Sequence, residues 1–344
     1  MLVELLIAAI ATFIATFLSG FLVKPLLISL GLVSQDINKK NRPILPTSGG
    51  IVMMIGIFVG LLALTLAQNY IGVGINAEIL VITLLTALSI AFIGFVDDVS
   101  GSAVRTSRAD IRKIVSNYKL FNGGIKQWQK PLLTLIAALP LLTINFGPQV
   151  LLLPHIGYIY LNQFLYAFVL VPLAIVFSAN AFNMLEGLNG ISAQMGLVAF
   201  GALSVFTYHI QEYTSFATST IFVAALAAYL YYGKYPAKIL PGDSLTYLIG
   251  GGFAAAVLTS GAQVLGAIIV IPWLIEFLLK ARKRFHANSW GLIQKDGTLR
   301  SPHEKIYSWT HIFMKTGRLN EWQIALLLTG VEVLFSAFAL AYLW

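Results

Sequence analysis

Asp97 and Asp98 stand side by side at the end of the apolar run Leu88–Val96. An ionised side chain costs about 2.5–3.5 kcal/mol at the centre of a bilayer and less at its edge. Two adjacent carboxylates also repel each other, and a bound proton or cation relieves them. A helix stop at the water boundary is the plainer use of the same pair. A second polar cluster runs from Asn180 through Asn183, Glu186, Gly187 and Asn189 to Gly190. Asn180 and Asn183 share one face if a helix persists there. Amide oxygens suit a hard cation, and amides also read the edge of a nucleobase. The glycines allow a turn or a close approach, as they would in an ordinary loop. Asp243, in Pro241-Gly242-Asp243-Ser244, reads first as a helix N-cap. Capping leaves a carboxylate oxygen for a metal.

The segment 281–322 has mixed polarity. Lys295-Asp296-Gly297 reads as a tight turn between short strands. Ser301-Pro302-His303-Glu304-Lys305 leads into an amphipathic stretch, with His303 and Lys305 placed for anion contact. His286 and His311 read as ordinary surface groups. Several chemistries are excluded: there is no phosphate-loop G-x-x-x-x-G-K and no H-E-x-x-H. An aspartate-rich DDxxD site would need Asp at 101, which is Gly101.

The elements that must position these groups are set by composition. The chain has 344 residues, 58% hydrophobic and 10% charged, with a mean hydropathy of +0.83. Soluble domains carry about 25% charged residues. This chain therefore needs lipid as part of its solvent. The absence of cysteine excludes disulfides and thiolate metal sites. The net charge of +8 points to orientation and anionic headgroups ahead of nucleic acid, which is not an expected partner.

Apolar stretches predict ten transmembrane helices, near 3–23, 49–67, 79–96, 132–147, 160–179, 190–208, 216–232, 244–260, 262–279 and 323–343. The first reads as a retained span, because no basic segment precedes it. The fold expected is an all-α polytopic membrane protein in one domain, 1–344, with a small mixed α/β loop, 281–322, between the last two helices. Alternation then gives a test. All 22 lysines and arginines fall in 24–48, 97–131, 233–243 and 280–322, and the other connections hold none. The positive-inside rule puts that basic set in the cytoplasm and both termini outside. A catalytic site is expected on the cytoplasmic face, where most acidic residues also lie.

With these blocks in order, the chain resembles the polyprenyl-phosphate N-acetylhexosamine-1-phosphate transferases. Within that superfamily it looks most like the archaeal and eukaryotic UDP-N-acetylglucosamine–dolichyl-phosphate N-acetylglucosamine-1-phosphate transferases. The bacterial phospho-N-acetylmuramoyl-pentapeptide transferase is a more distant relative. The likeness covers Ser34-Gln35-Asp36-Ile37-Asn38-Lys39, Pro46-Thr47-Ser48-Gly49-Gly50, Gly94 to Asp98 and Trp128-Gln129-Lys130-Pro131-Leu132-Leu133. It continues through Asn180 to Gly190, Gly242-Asp243-Ser244 and Pro302-His303.

The resemblance implies ten helices, Mg2+ (with Mn2+ as a substitute), a UDP-sugar donor, a polyprenyl or dolichyl phosphate acceptor and, as in many relatives, a homodimer. It implies Asn183 and Asp243 as metal ligands and Asp97, Asp98 and Lys130 as the catalytic set. For substrate binding it implies Asp36, Asn38, Lys39, Gly187, Asn189, Arg300, His303 and Lys305. Lys130 follows the acidic pair at a longer spacing than in the family. A basic insertion near 101–126 accounts for that and leaves Lys126 as the other match. His303 is followed by Glu304 and Lys305 where the family has an arginine-flanked form, which leaves the donor sugar open. The expected reaction releases UMP. A transporter of a nucleotide sugar or lipid-linked sugar is the alternative. It is disfavoured by the gathering of polar groups at one face.

Overall fold

The computed structural model describes residues 2–71, 75–105, 125–126, 128–144, 149–153 and 156–344. The expected basic insertion falls mostly on 106–124, outside the described residues. Helix α1 (Leu2–Ser29) leads through a two-stranded antiparallel ribbon, β1 (Val33–Gln35) with β2 (Ile44–Pro46), to α2 (Gly50–Ile71). Then come α3 (Ala77–Arg105) and the short α4 (Gln129–Ala137), which runs into a 3-10 turn, Leu139–Thr143. A hairpin of β3 (Gln149–Leu153) and β4 (Gly157–Leu161) precedes α5 (Gln163–Leu185), which contains a π turn at Tyr166–Leu170. The chain continues through α6 (Ile191–His209), α7 (Tyr213–Gly233) and α8 (Gly242–Ser260). Helices α9 (Gln263–Ile269) and α10 (Ile271–Ala281) meet at a bend of 51°, where Pro272 removes a donor from the first turn of α10. After β5 (Leu292–Ile293), β6 (Leu299–Arg300) and α11 (Trp309–Met314), the last helix is α12 (Glu321–Leu343).

Helices answer all ten expected stretches, but not all qualify as spans. Among the described residues seven are long and apolar enough to cross a membrane, and eight if the bent α9–α10 pair counts as one. Helix α4 with its 3-10 turn is too short. Helix α8 is long but is absent from that set, because Asp243, Ser244, Thr246 and a run of glycines dilute it. The reason is its place in the molecule. Nearly every α8 residue is buried, against α3, α5, α2, α6 and α7. A helix sheathed by other helices meets little lipid and needs no apolar outer face. Its small residues let neighbours approach: a Cβ on Gly250 would sit 2.4 Å from the Ser178 carbonyl oxygen. The aromatic packing beside it is dense, with Phe182 stacked on Trp273 at 3.9 Å and Phe200 on Phe222 at 4.3 Å.

Within 281–322 the chain forms a short antiparallel hairpin, β5 with β6, and helix α11. Gly297 takes a left-handed φ of 90°, and Asp296 Oδ1 accepts from the Thr298 N–H at 3.0 Å. The segment is pinned to the helices by Glu276 of α10, which is fully buried. Its Oε2 accepts from Ser308 Oγ at 3.0 Å and from the Trp309 N–H at 2.8 Å, while Oε1 faces Ser289 Oγ at 3.2 Å and Lys280 Nζ at 3.4 Å. His311 is not the surface group expected from sequence. It is buried, its Nδ1 accepts the Tyr307 N–H at 3.2 Å, and its Nε2 lies 2.8 Å from the Asn288 carbonyl. Burial, and then the positive charge around it, holds it neutral with a pKa of about 4.

Candidate active site

The C-terminal part of α3 carries Asp97 and Asp98 to the first turn of α8. Asp98 Oδ1 accepts from the Asp243 N–H at 2.8 Å, and its Oδ2 from the Ser244 N–H at 3.1 Å. The carboxylate thus caps α8 from another helix, meeting the unsatisfied donors of a helix start and its positive end. Two glycines permit the approach. Gly242 has φ +67, and a Cβ there would fall 2.4 Å from Asp98 Oδ2. A Cβ on Gly94 would fall 2.4 Å from the Asp243 carbonyl oxygen.

Lys130, at the start of α4, completes the centre. Its Nζ lies 2.7 Å from Asp97 Oδ2 and 2.6 Å from Asp243 Oδ2. Asp97 Oδ1 also accepts the Ile125 N–H at 2.6 Å. Asn183 lines the same cavity as Asp97 and Asp243. Lys126, the other lysine the spacing allows, is exposed.

These groups share one cavity of about 480 Å³ with Asp36, Asn38, Glu186, Gly187, Asn189 and Trp290. The loop between α1 and α2 supplies Asp36 and Asn38, both buried. Asn38 brackets the wall: its Nδ2 donates to the Gly187 carbonyl at 2.6 Å, and its Oδ1 accepts the Gly291 N–H at 3.1 Å. Asn189 Nδ2 donates to Asp36 Oδ2 at 2.9 Å, and the Asn189 N–H donates to Glu321 Oε1 at 2.7 Å. Lys39 joins the same ring through Asp36, at 3.3 Å, and through Glu321. It stands behind the lining and not in it.

Sequence reasoning missed three contributors. Glu186 was named in the second polar cluster but given no role. It caps the end of α5 and lines the cavity, and burial pushes it up to about 7 against the hydrogen bond from Ser192 Oγ. Glu321 was one of several acids on the expected cytoplasmic side with no role assigned, and Trp290 carried no local signal at all. Conversely, Arg300, His303 and Lys305 are not among the residues lining the cavity. Arg300 and Lys305 are exposed. His303 Nδ1 lies 3.2 Å from Lys283 Nζ, and its ring packs against Tyr307 and His311 at 5.6 and 5.2 Å. Burial, followed by Lys283, lowers its pKa.

The donor set has a test to meet for Mg2+. Among the described residues no group of three or more His, Cys, Asp or Glu is arranged to grip a metal unaided. Mg2+ seldom asks for that: it takes one or two carboxylates, keeps waters and shares substrate phosphates. Asp97, Asp243 and the Asn183 amide offer hard oxygens at one point, and the two carboxylates there want positive charge between them. The residues fit the ion.

A helical membrane protein with an acidic, lysine-bearing cavity at the ends of its helices is the class these observations define. Comparison with known proteins narrows it. The profile of glycosyl transferase family 4 matches residues 79–261. A Saccharolobus solfataricus protein provisionally described as a UDP-N-acetylglucosamine–dolichyl-phosphate N-acetylglucosaminephosphotransferase is 33% identical over 89% of this chain and 87% of its own length. A Sulfolobus acidocaldarius protein with the same provisional description is 31% identical over 99% of this chain and 97% of its own. The phospho-N-acetylmuramoyl-pentapeptide-transferase of Shouchella clausii is 28% identical over 68% of this chain and 66% of its own. The chain belongs to glycosyl transferase family 4, as a glycosyl-1-phosphate transferase of the polyprenyl-phosphate superfamily.

Proposed function

We propose that this protein transfers N-acetylglucosamine 1-phosphate, or a related N-acetylhexosamine 1-phosphate, from a UDP-sugar to a polyprenyl or dolichyl phosphate. The reaction needs Mg2+, releases UMP and opens the assembly of a lipid-linked glycan. The observation that supports it best is the sign of the cavity. Among the described residues, Asp36, Asp97, Asp98, Glu186 and Asp243 line it, against Lys130 as the one cation. A site of that sign takes phosphate anions only in company with a divalent cation.

Asp97, Asp243 and Asn183 would hold Mg2+, which when bound supplies the charge that offsets the diphosphate and the leaving UMP. The rest falls to the chain itself. Asp98 fixes the first turn of α8, and with it the carboxylate of Asp243. Lys130 brings an ammonium to the same end and donates to the diphosphate oxygens. Asp97 orients the lipid phosphate or takes its proton. An oxygen of the lipid phosphate attacks the sugar-linked phosphorus directly. A P–O bond forms there as the bond to the bridging oxygen breaks, and the electron pair leaves with UMP.

Two further features support the reading. An apolar groove of about 380 Å³ between α5, α8 and α9 is lined by Leu170, Phe177, Phe253, Val257 and Val270, and suits a prenyl chain. If α4 and α8 count as spans, ten alternating helices gather every lysine and arginine at one side, and the positive-inside rule supports reading that side, with the cavity, as cytoplasmic. The test is UMP release by purified protein given Mg2+, a short polyprenyl phosphate and a panel of UDP-sugars. UMP is expected only when all three are present, fastest with UDP-N-acetylglucosamine. No UMP with any donor would sink the reading.

A further inference from the structure

Lys130 stands on a short helix. α4 has nine residues, and no side chain caps its start at Trp128. Helices shorter than about 12–15 residues are marginal on their own. Leu132, Leu135 and Ile136 are exposed along it, so one flank of α4 has no protein neighbour to grip. Thr134 turns the other way and is fully buried. There it meets Asn180 of α5, which the transfer chemistry left without a role. Both ends of the Asn180 amide are engaged. Its Nδ2 donates to the Val176 carbonyl at 2.8 Å and to Thr134 Oγ1 at 3.4 Å, and its Oδ1 accepts from the Tyr247 hydroxyl of α8 at 3.1 Å. Thr134 Oγ1 in turn lies 3.0 Å from the Lys130 and Pro131 carbonyls, to which it donates. A chain of hydrogen bonds thus runs from α8 through α5 to α4 and ends on the backbone of the lysine.

The spacing of these residues repeats that of the site. Thr134 follows Lys130 by four positions, Tyr247 follows Asp243 by four, and Asn180 precedes Asn183 by three. Each pair is stacked on one face of its helix, one turn apart. Lys130, Asn183 and Asp243 line the cavity, and none of Thr134, Asn180 and Tyr247 is among its described lining. The second set is therefore a polar tier one turn deeper in the bundle, its groups spent on each other and not on a ligand. Polar side chains between buried helices fix how those helices sit. We propose that Tyr247, Asn180 and Thr134 are positioning residues, which hold α4 against α8 so that the Lys130 ammonium stays at the Asp243 carboxylate. This rests on the transfer reading above and adds to it the means by which a short helix keeps its lysine in reach.

Full-length protein in detergent is assayed for UMP release with Mg2+, UDP-N-acetylglucosamine and a short polyprenyl phosphate. Tyr247→Phe and Thr134→Val each remove a link and keep the shape of the side chain. Both are expected to lower kcat by roughly 10–100-fold, the scale of a catalytic group displaced by about 1 Å, while KM for the UDP-sugar holds. Thr134→Ser, which keeps the hydroxyl, should restore kcat. The double variant should be no worse than the poorer single one, since both break one chain. In a Lys130→Ala background neither substitution should cost anything more, because the lysine they position is gone. A second readout needs no turnover: amine labelling of Lys130 by acetic anhydride, followed by mass spectrometry against the exposed Lys126, should quicken in Tyr247→Phe. If Thr134→Val loses its fold, Tyr247→Phe carries the same measurements. Unchanged kcat in Tyr247→Phe, an equal loss in the Lys130→Ala background, or unaltered labelling of Lys130 would each overturn the assignment. A wild type that releases no UMP is a different result. It removes the transfer reading, and the labelling still decides whether the tier holds the lysine.

Discussion

Lys280 lies against a buried carboxylate and Lys130 against two half-buried ones, and their surroundings differ. Around Lys280 the donors and acceptors match. Glu276 takes Ser308, Trp309, Ser289 and Lys280 on its two oxygens, and Lys280 also donates to the Met184 carbonyl. Among the described residues the charges pair one to one, neither side chain lines the acidic cavity, and the pair's work is to hold the 281–322 segment on α10. Around Lys130 the sums do not match. Asp97 and Asp243 share a single ammonium and face each other across a cavity that water or a ligand can enter. The same residue types build structure where their demands are met and leave room for chemistry where they are not. Buried pairs of the first kind are costly to break. Those of the second kind store strain that a cation and an anionic substrate would relieve.

The comparison breaks if the open centre proves structural. Asp243→Ala and Asn183→Ala are expected to lower UMP release by roughly a thousandfold or more, on the scale of removing a charge-stabilising group, with expression and thermal midpoint unchanged. Full activity in either variant takes that residue out of the metal site, and a large loss of stability would move the centre to the structural class. The closed centre makes the reverse demand. Glu276→Ala should destabilise the protein by about 3–5 kcal/mol, the cost of leaving one partner of a buried pair alone. Hydrogen exchange across 282–320 should rise with it. Normal protection there would show that the segment is held by something else.

Lys130→Ala sharpens the open centre: a fall of roughly a hundredfold in UMP release is expected, as for a lost electrostatic donor. Lys126→Ala, at the exposed alternative, should stay within about twofold, as surface changes usually do. Equal losses would return the choice between the two lysines to an open state. The smallest expected effect is on pH. His311 has a pKa of about 4 in the fold against 6.5 for a free imidazole. The unfolded chain therefore binds more protons between these values, and stability is lost as pH falls through that window. Proteolysis of 282–320 should quicken from pH 6.5 to pH 4, and His311→Gln should flatten the trend. A wild-type profile without slope would show that His311 is not the group involved.

The membrane class, the position of every long helix and the acidic face were legible in the sequence, because lipid forces backbone groups to pair within the segment and leaves the pattern on neighbouring residues. So was the turn at Asp296-Gly297, whose chemistry is local. The status of α8 was not legible. The stretch 244–260 looked like one more span, whereas burial on all sides relieves it of the apolar face a span needs. His311 looked like a surface residue because nothing near it in sequence announces the Asn288 carbonyl. Glu186 and Glu321 sat at helix ends, where acids are unremarkable.

Hydropathy and charge along the chain were sufficient to establish that this is a polytopic membrane protein with one chemically rich face, and the order of short polar blocks was sufficient to suggest its superfamily. Which carboxylate caps α8, which lysine enters the cavity and which aromatic walls it were decided by packing. Lys130 meets Asp243 across 113 positions of chain, and Asn189 meets Asp36 across 153. Periodicity reports only what a residue does within its own helix turn. Contacts of that range depend on how the helices cross and how closely small residues let them approach, and these are properties of the assembled bundle.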